Sequence, residues 1–141
     1  MTMDPQALAT GAEVEYWAGL LEGEVRLPRC EACGRWHWPA VWRCGDCGSW
    51  ERAWYAVPPV GTVYSWTRTW HRFQGLDDLE PPFVTVLTTL DGGGHARLPG
   101  VLEGDETALA IGARVAGRVA STGWQGRVLP ALRWTLEVDR G

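Results

Sequence analysis

The chain has 141 residues, a formal net charge of −4 and ten tryptophans, enough for one packed domain or for a small module joined to a domain. All 13 cationic residues are arginine, and the absence of lysine excludes Schiff-base lysine chemistry and a P-loop lysine. The acidic balance argues against a nucleic-acid role, for which a basic patch is expected. There is no secretory signal and no apolar segment long enough to cross a membrane, so we expect a cytoplasmic protein.

The first predicted element is a short helix that follows residues 1–9, which we expect to be frayed. Thr10 and Glu13 form a capping-box pattern, and Gly23 predicts the helix end. Apolar residues at helical spacing predict one face, formed by Val14, Trp17, Ala18 and Leu21. A helix of about three turns is marginal alone. This face therefore packs either on its own domain or on a partner subunit, and the pattern does not decide between them.

All four cysteines lie in two C-x-x-C-G hooks, at Cys30, Cys33, Cys44 and Cys47. The glycine after each second cysteine allows backbone N–H groups to turn toward the sulfurs. Two such hooks make a closed tetrahedral four-sulfur site, which is typical of structural zinc. A zinc ion with four thiolates has no open position for water, so we predict one structural zinc that takes no part in chemistry.

Two alternatives to zinc remain for the cysteines. Iron in a rubredoxin-like site would use the same hooks and would make the protein an electron carrier. Disulfide pairing is also possible for four cysteines, although a reducing cytoplasm disfavours it. His37 lies between the hooks, and we predict that it is a surface or hydrogen-bonded histidine rather than a ligand.

Trp36, Trp38 and Trp42 lie between the two hooks. They either wrap the ribbon, which has almost no other core, or form an arginine-flanked surface for a partner or an aromatic base. Short strands are predicted on each side of this region, at residues 24–29 and 50–57.

After a break at Pro58-Pro59-Val60-Gly61, the chain is predicted to be all-β. The predicted strands are residues 62–69, 83–90, 96–102, 114–120 and 131–138. Five short strands favour a small barrel, and the OB-fold is the leading candidate. The predicted fold class is mainly β, with an N-terminal helix, a rubredoxin-like zinc ribbon and a five-stranded OB barrel. The predicted domains are residues 1–23, 24–57 and 58–141.

Several short motifs follow one another in a recognisable order: Tyr16-Trp17, Arg29-Cys-x-x-Cys-Gly, Trp38-Pro39, Cys44-x-x-Cys47-Gly48, Gly61-Thr-Val-Tyr-Ser-Trp66 and Pro82-Phe-Val84. In this order the chain resembles the acyl-CoA-associated zinc-ribbon/OB-fold proteins, from about residue 11 to residue 139. The resemblance implies an accessory subunit beside a thiolase-like or thiolase-derived aldolase subunit, and sometimes beside a MaoC-type hydratase. It also implies that the ribbon and helix dock the partner and that the barrel helps to house coenzyme A. The family has no agreed catalytic motif, so no catalytic residue is assigned.

We therefore expect a non-catalytic subunit of a hetero-oligomeric acyl-CoA-processing complex, with acyl-CoA as ligand of the complex. The candidate partner-binding residues are Tyr16, Trp17, Leu21, Trp36, Trp38 and Trp42. The candidate CoA-binding residues are Trp66, Arg68, His71, Arg72 and Phe73, because arginine and an aromatic ring suit phosphate and adenine. The alternative for this second set is a strand end with solvated arginines. A MaoC-type partner and a single-stranded nucleic-acid-binding protein are the alternative functions.

Overall fold

The structure is a computed structural model that describes residues 10–137. The chain forms two compact units, Met1–Pro58 with Gly92–Ala96, and Pro59–Asp91 with Arg97–Gly141. The expected frayed start and the last residue of the final predicted strand, Val138, lie outside the described residues. Among residues 10–137, no helix is both long and apolar enough to cross a bilayer.

Helix α1 (Val14–Leu21) begins differently from the predicted capping box. Glu13 itself is the N-cap residue, with φ −94° and ψ 8°, and no side chain caps the helix. The prediction that Thr10 caps and Glu13 reaches back is wrong, because Glu13 starts the helix through its carbonyl oxygen. That oxygen accepts the N–H groups of Tyr16 and Trp17 at 2.9 and 3.4 Å. The helix ends near Gly23 as predicted.

The buried face of α1 is not the predicted one. Tyr16, Gly19 and Leu20 are buried, whereas the predicted face is half-buried. Both sets have helical spacing, so periodicity alone could not separate them. Gly19 lies close to Arg26, because a Cβ atom at this position would be 2.8 Å from Cγ of that residue.

The ribbon contains two short antiparallel strands, β1 (Arg26–Cys30) and β2 (Arg52–Ala56). Arg26 lies opposite Ala56, and Cys30 lies opposite Arg52. The same unit includes Gly92–Ala96, with a 3-10 turn at Gly93–His95.

The second unit is a closed five-stranded barrel. Its strands are β3 (Val60–Thr69), β4 (Phe83–Leu90), β5 (Arg97–Leu102), β6 (Arg114–Trp124) and β7 (Arg127–Leu136). Their order is β3-β4-β5-β7-β6, with β6 pairing again with β3, and only β5 and β7 are parallel. Trp134, Leu98 and Val115 are fully buried in its core. The predicted fold class is confirmed.

A bulge in β3 determines on which face of the sheet the side chains in the second half of the strand lie. It lies between Val63 and Ser65, and beyond it Trp66 is opposite Val86 while Arg68 is opposite Val84. Both valines are buried. Because opposite residues in an antiparallel pair share a face, the bulge brings Trp66 and Arg68 to the face that carries the core. Trp66 nevertheless keeps 39% of its surface exposed.

Candidate metal centre

The four cysteine sulfurs converge on one point. All four Sγ atoms lie within 4.8 Å of one another, with 3.6 Å between Cys30 and Cys47 and 3.7 Å between Cys33 and Cys44. These separations exclude disulfide bonds, whose sulfurs are about 2.05 Å apart. A tetrahedral zinc with bonds of about 2.3 Å has sulfur–sulfur edges of about 3.8 Å. The four thiolates therefore form a zinc-ribbon site that would hold a structural zinc.

The two hooks have the same backbone geometry. In each hook, the N–H of the first cysteine (Cys30 or Cys44) donates to the carbonyl oxygen five residues later, at 2.8 and 2.9 Å. The N–H of the hook glycine (Gly34 or Gly48) donates to the first cysteine's carbonyl oxygen, at 2.9 and 3.0 Å. These glycines have φ values of +81° and +78°, in the left-handed region that glycine occupies without strain.

Backbone N–H groups also favour the thiolate form of the first cysteine in each hook. The amide of Cys33, and then that of Ala32, lower the pKa of Cys30 to about 7. The amide of Cys47 acts in the same way on Cys44 and lowers its pKa to about 7. Since a thiolate is the metal-binding form, these amides favour cation binding by the first cysteine of each hook.

An arginine and a tryptophan extend each hook into the pattern R-C-x-x-C-G-x-W. The Nε–H groups of Arg29 and Arg43 each donate a 2.8 Å hydrogen bond to the carbonyl oxygen of their hook glycine. Their guanidinium groups lie 5.6 and 5.9 Å from the ring centroids of Trp36 and Trp50. The C-x-x-C-G pattern predicted only the cysteines and glycines of this repeat. Aligning Cys30 with Cys44 reveals the other two positions.

The predicted partner-binding residues of the helix fall into two groups. Tyr16 is 8% exposed and packs against Trp38, with ring centroids 4.5 Å apart. Trp17 and Leu21 are half-buried, so each keeps part of its side chain accessible. The structure thus joins one helix residue to the region between the hooks and leaves the other two at the surface of the unit.

The tryptophans of the ribbon differ in exposure. Trp36 is half-buried and meets Tyr55 edge to face, at a centroid distance of 5.8 Å. Trp42 is 56% exposed, and the guanidinium of Arg52 lies 4.6 Å from its centroid. Trp50, which lies outside the predicted partner-binding set, is 68% exposed. The ribbon therefore uses some of its tryptophans as core and presents others to solvent.

The predicted CoA-binding residues form two separate contacts on the barrel unit. Arg68 lies 5.9 Å from the ring centroid of Trp66 and donates to Glu106 at 2.8 Å. His71 and Phe73 meet edge to face, with centroids 4.9 Å apart. Arg72 pairs with Glu80. Both arginines of the set are thus held by carboxylates.

A second ring–guanidinium pair on the barrel was not predicted. The guanidinium of Arg97, on β5, lies 3.7 Å from the ring centroid of Tyr64, the bulge residue of β3. Within residues 10–137, no carboxylate lies within ion-pair distance of Arg97. Its charge is therefore available to an anion.

Comparison with known proteins gives two matched domains along the chain. Residues 17–49 match the family model described as "ChsH2, rubredoxin-like zinc ribbon domain", and residues 54–120 match "ChsH2, C-terminal OB-fold domain". Among curated proteins, none matches the chain significantly.

Two solved structures share the fold. A chain described as "Ltp2-ChsH2(DUF35) aldolase" is 22% identical, with a TM-score of 0.79 over 92% of this chain and 98% of that one. A protein of unknown function from the DUF35 family of Sulfolobus solfataricus is 19% identical, with a TM-score of 0.59 over 94% of this chain and 90% of that one.

Proposed function

Because this chain belongs to the ChsH2 family of zinc-ribbon and OB-fold proteins, we propose that it is a non-catalytic accessory subunit of an acyl-CoA-processing complex. Helix α1 and the ribbon dock a thiolase-fold thiolase or aldolase, and the barrel helps to bind the CoA thioester. The observation that carries the proposal is the likeness, over nearly the whole chain, to a protein described as an Ltp2-ChsH2 aldolase.

The metal centre supports a structural role for this chain. All four sulfurs face one another, and a zinc held by four thiolates has no position for water or substrate. The zinc would cross-link the two hooks in place of a larger core. The bond-breaking chemistry then belongs to the partner subunit, and the metal fixes the surfaces that the ribbon presents to it.

The ring–guanidinium pairs of the barrel support a contribution to CoA binding. CoA offers an adenine ring for stacking and phosphates for charged hydrogen bonds, which arginine forms well. Trp66 with Arg68 and Tyr64 with Arg97 each combine these two groups. Arg97 is the stronger phosphate ligand of the two, since Arg68 already donates to Glu106.

The loops of the barrel favour CoA binding over binding of single-stranded nucleic acid. Oligonucleotide-binding OB-folds use the loop between their first two strands and the loop between their last two. Here these loops are tied together, because both carboxylate oxygens of Asp78 accept the N–H of Gly123 at 2.9 and 3.0 Å. Leu76 also forms a β-bridge with Trp124. The tie places a carboxylate where a nucleic-acid ligand requires positive charge.

The test is co-expression with the thiolase-fold protein encoded beside this chain, followed by size-exclusion chromatography and an activity assay. We expect a stable complex in which the partner gains solubility or activity. A MaoC-type hydratase serves as a second bait. Trp17→Ala is expected to reduce the free energy of binding to the partner by more than it reduces the stability of the isolated chain, which is followed by its Tm. A partner that is soluble and fully active alone, and that forms no complex, would disprove the proposal.

A further inference from the structure

The two halves of the ribbon are equivalent in their hooks but not in what covers their tryptophans. At the first hook, the chain's own residues Gly92–Ala96 lie within the same compact unit. Gly94 approaches Trp36 so closely that a Cβ atom there would lie 2.7 Å from Cβ and 2.9 Å from Cδ1 of the tryptophan. Only a glycine fits this position. The first tryptophan of the repeat is therefore covered by a glycine loop.

The equivalent tryptophan of the second hook has no such cover. Trp50 is 68% exposed, and its ring contact within the described residues is the guanidinium of Arg43. Trp42 and Val41 are exposed nearby in the chain, and Arg52 lies over Trp42. We call Val41, Trp42, Arg43, Trp50 and Arg52 the second-hook face.

The second-hook face also carries positive charge without a paired carboxylate. Arg43 donates to the carbonyl oxygen of Gly48, and Arg52 donates to those of Val41 and Ala12, at 2.7 and 3.2 Å. In the described part of the chain, neither guanidinium has a carboxylate within ion-pair distance. Arg29, the equivalent of Arg43 in the first hook, also has no carboxylate within ion-pair distance in the described residues, so the two hooks differ in the exposure of their tryptophans and not in this charge.

We propose that the second-hook face docks a loop of the partner subunit that presents a glycine to Trp50 and a carboxylate to Arg43 and Arg52. This inference rests on the proposed function, because it needs a partner chain. The first hook provides the internal precedent for the glycine, and a carboxylate would complement the charge of two guanidinium groups that donate only to carbonyl oxygens. An indole flanked by arginine is also the residue combination that dominates binding energy at protein interfaces.

The first test measures the affinity of the co-expressed thiolase-fold partner for wild-type chain and for Trp50→Ala. We expect about a tenfold or larger rise in Kd, as for a central interface tryptophan. Zinc content and Tm should stay at the wild-type values, because Trp50 is mostly solvent-exposed in the free chain.

Arg29, which occupies the position of Arg43 in the first hook, provides a matched control for the charge of Arg43. Arg43→Met and Arg29→Met each remove one 2.8 Å hydrogen bond to a hook glycine, so both should lower the Tm by a similar amount. Only Arg43→Met should weaken partner binding, and only it should reduce the dependence of Kd on NaCl concentration.

The outcomes separate the two proposals. If wild-type chain binds the partner and Trp50→Ala and Arg43→Met bind equally well, the second-hook face is not the docking site, while the accessory function stands. Equal weakening by Arg29→Met and Arg43→Met would show an effect through folding and would also overturn the inference. If wild-type chain forms no complex, the proposed function fails, and the docking proposal fails with it.

Discussion

The ring of Tyr16 packs against the indole of Trp38, with centroids 4.5 Å apart and planes inclined at 44°. This contact joins helix α1 to the region between the hooks, so part of the aromatic surface predicted for a partner serves the unit itself. Tyr16 is left with almost no accessible surface. Trp17 and Leu21, the other two predicted partner-binding residues of the helix, remain partly accessible, and we expect a partner that binds the helix to contact them.

Because Tyr16 is buried, the stability of its unit should fall at alkaline pH. Burial raises the pKa of Tyr16 from 10.0 to about 12. The unfolded chain therefore releases the Tyr16 proton at a lower pH than the folded chain does. The stability that comes from keeping Tyr16 protonated is fully present below pH 10 and is lost as the pH rises toward 12. The loss amounts to about 3 kcal/mol at most. The difference in tyrosinate absorbance between the wild type and Tyr16→Phe should have its titration midpoint near pH 12. A difference curve with its midpoint near pH 10 would contradict the buried position.

The hook glycines give a second prediction, because their backbone is left-handed. Gly48→Ala should destabilise the ribbon by about 1–2 kcal/mol, as expected for a non-glycine residue in this region. The new Cβ would also lie 3.0 Å from Nη2 of Arg43. The readout is the denaturant midpoint together with the rate of metal loss to a chelator.

Gly45 provides the matched control in the same hook. No heavy atom lies within 4 Å of a Cβ placed there, so Gly45→Ala should leave both readouts unchanged. Equal effects of Gly45→Ala and Gly48→Ala would show that the left-handed backbone at Gly48 does not determine the stability of the ribbon or its retention of metal.

Local patterns in the sequence were sufficient for most of the fold. β4 (Phe83–Leu90) has the predicted bounds, because its β-branched and apolar residues fit a strand whose alternate positions are buried. The β6–β7 hairpin is longer than predicted. The predicted strands end at residue 120 and resume at residue 131, but pairing across the hairpin extends the first strand to Trp124 and starts the second at Arg127. The positive φ values of Gln125 and Gly126 form its tight turn, for which Gly126 was the available signal.

The candidate site was predictable where its residues are close in sequence. The hooks are local, so the cysteines were found from their spacing. Tyr64 and Arg97 are far apart in the chain and meet only because β3, β4 and β5 lie side by side in the barrel. The buried face of α1 was also not predictable, since two apolar sets fit helical spacing and only tertiary packing, such as that of Tyr16 on Trp38, selects between them.

Removal of a metal ligand should unfold the ribbon. Cys30→Ser deletes one of four thiolates, and the free energy of zinc binding, about 10–16 kcal/mol in small zinc domains, is also folding free energy there. We expect loss of bound zinc and a large change in tryptophan fluorescence, as six of the ten tryptophans lie in residues 17–54.

Ala32→Ser is the control for this substitution. It adds the same hydroxyl within the same hook and keeps all four sulfurs, so zinc content and Tm should match the wild type. A Cys30→Ser protein with one zinc per chain and an unchanged Tm would show that the four-sulfur site does not hold the ribbon together.

The last prediction concerns the contribution of the barrel to CoA binding. Arg97→Leu should raise the Kd of the assembled complex for CoA by about ten- to a hundredfold, since one charged hydrogen bond to phosphate contributes about 1.5–3 kcal/mol. Isothermal titration of the complex with CoA measures this directly. Arg118→Leu is the control, because Arg118 is an exposed barrel arginine whose guanidinium is already bound by both carboxylate oxygens of Glu103. If both variants bind CoA like the wild type, the unpaired charge over Tyr64 lies outside the CoA site. If Arg97→Leu alone loses affinity, the ligand phosphates lie on the side of the barrel where β3 and β5 carry Tyr64 and Arg97.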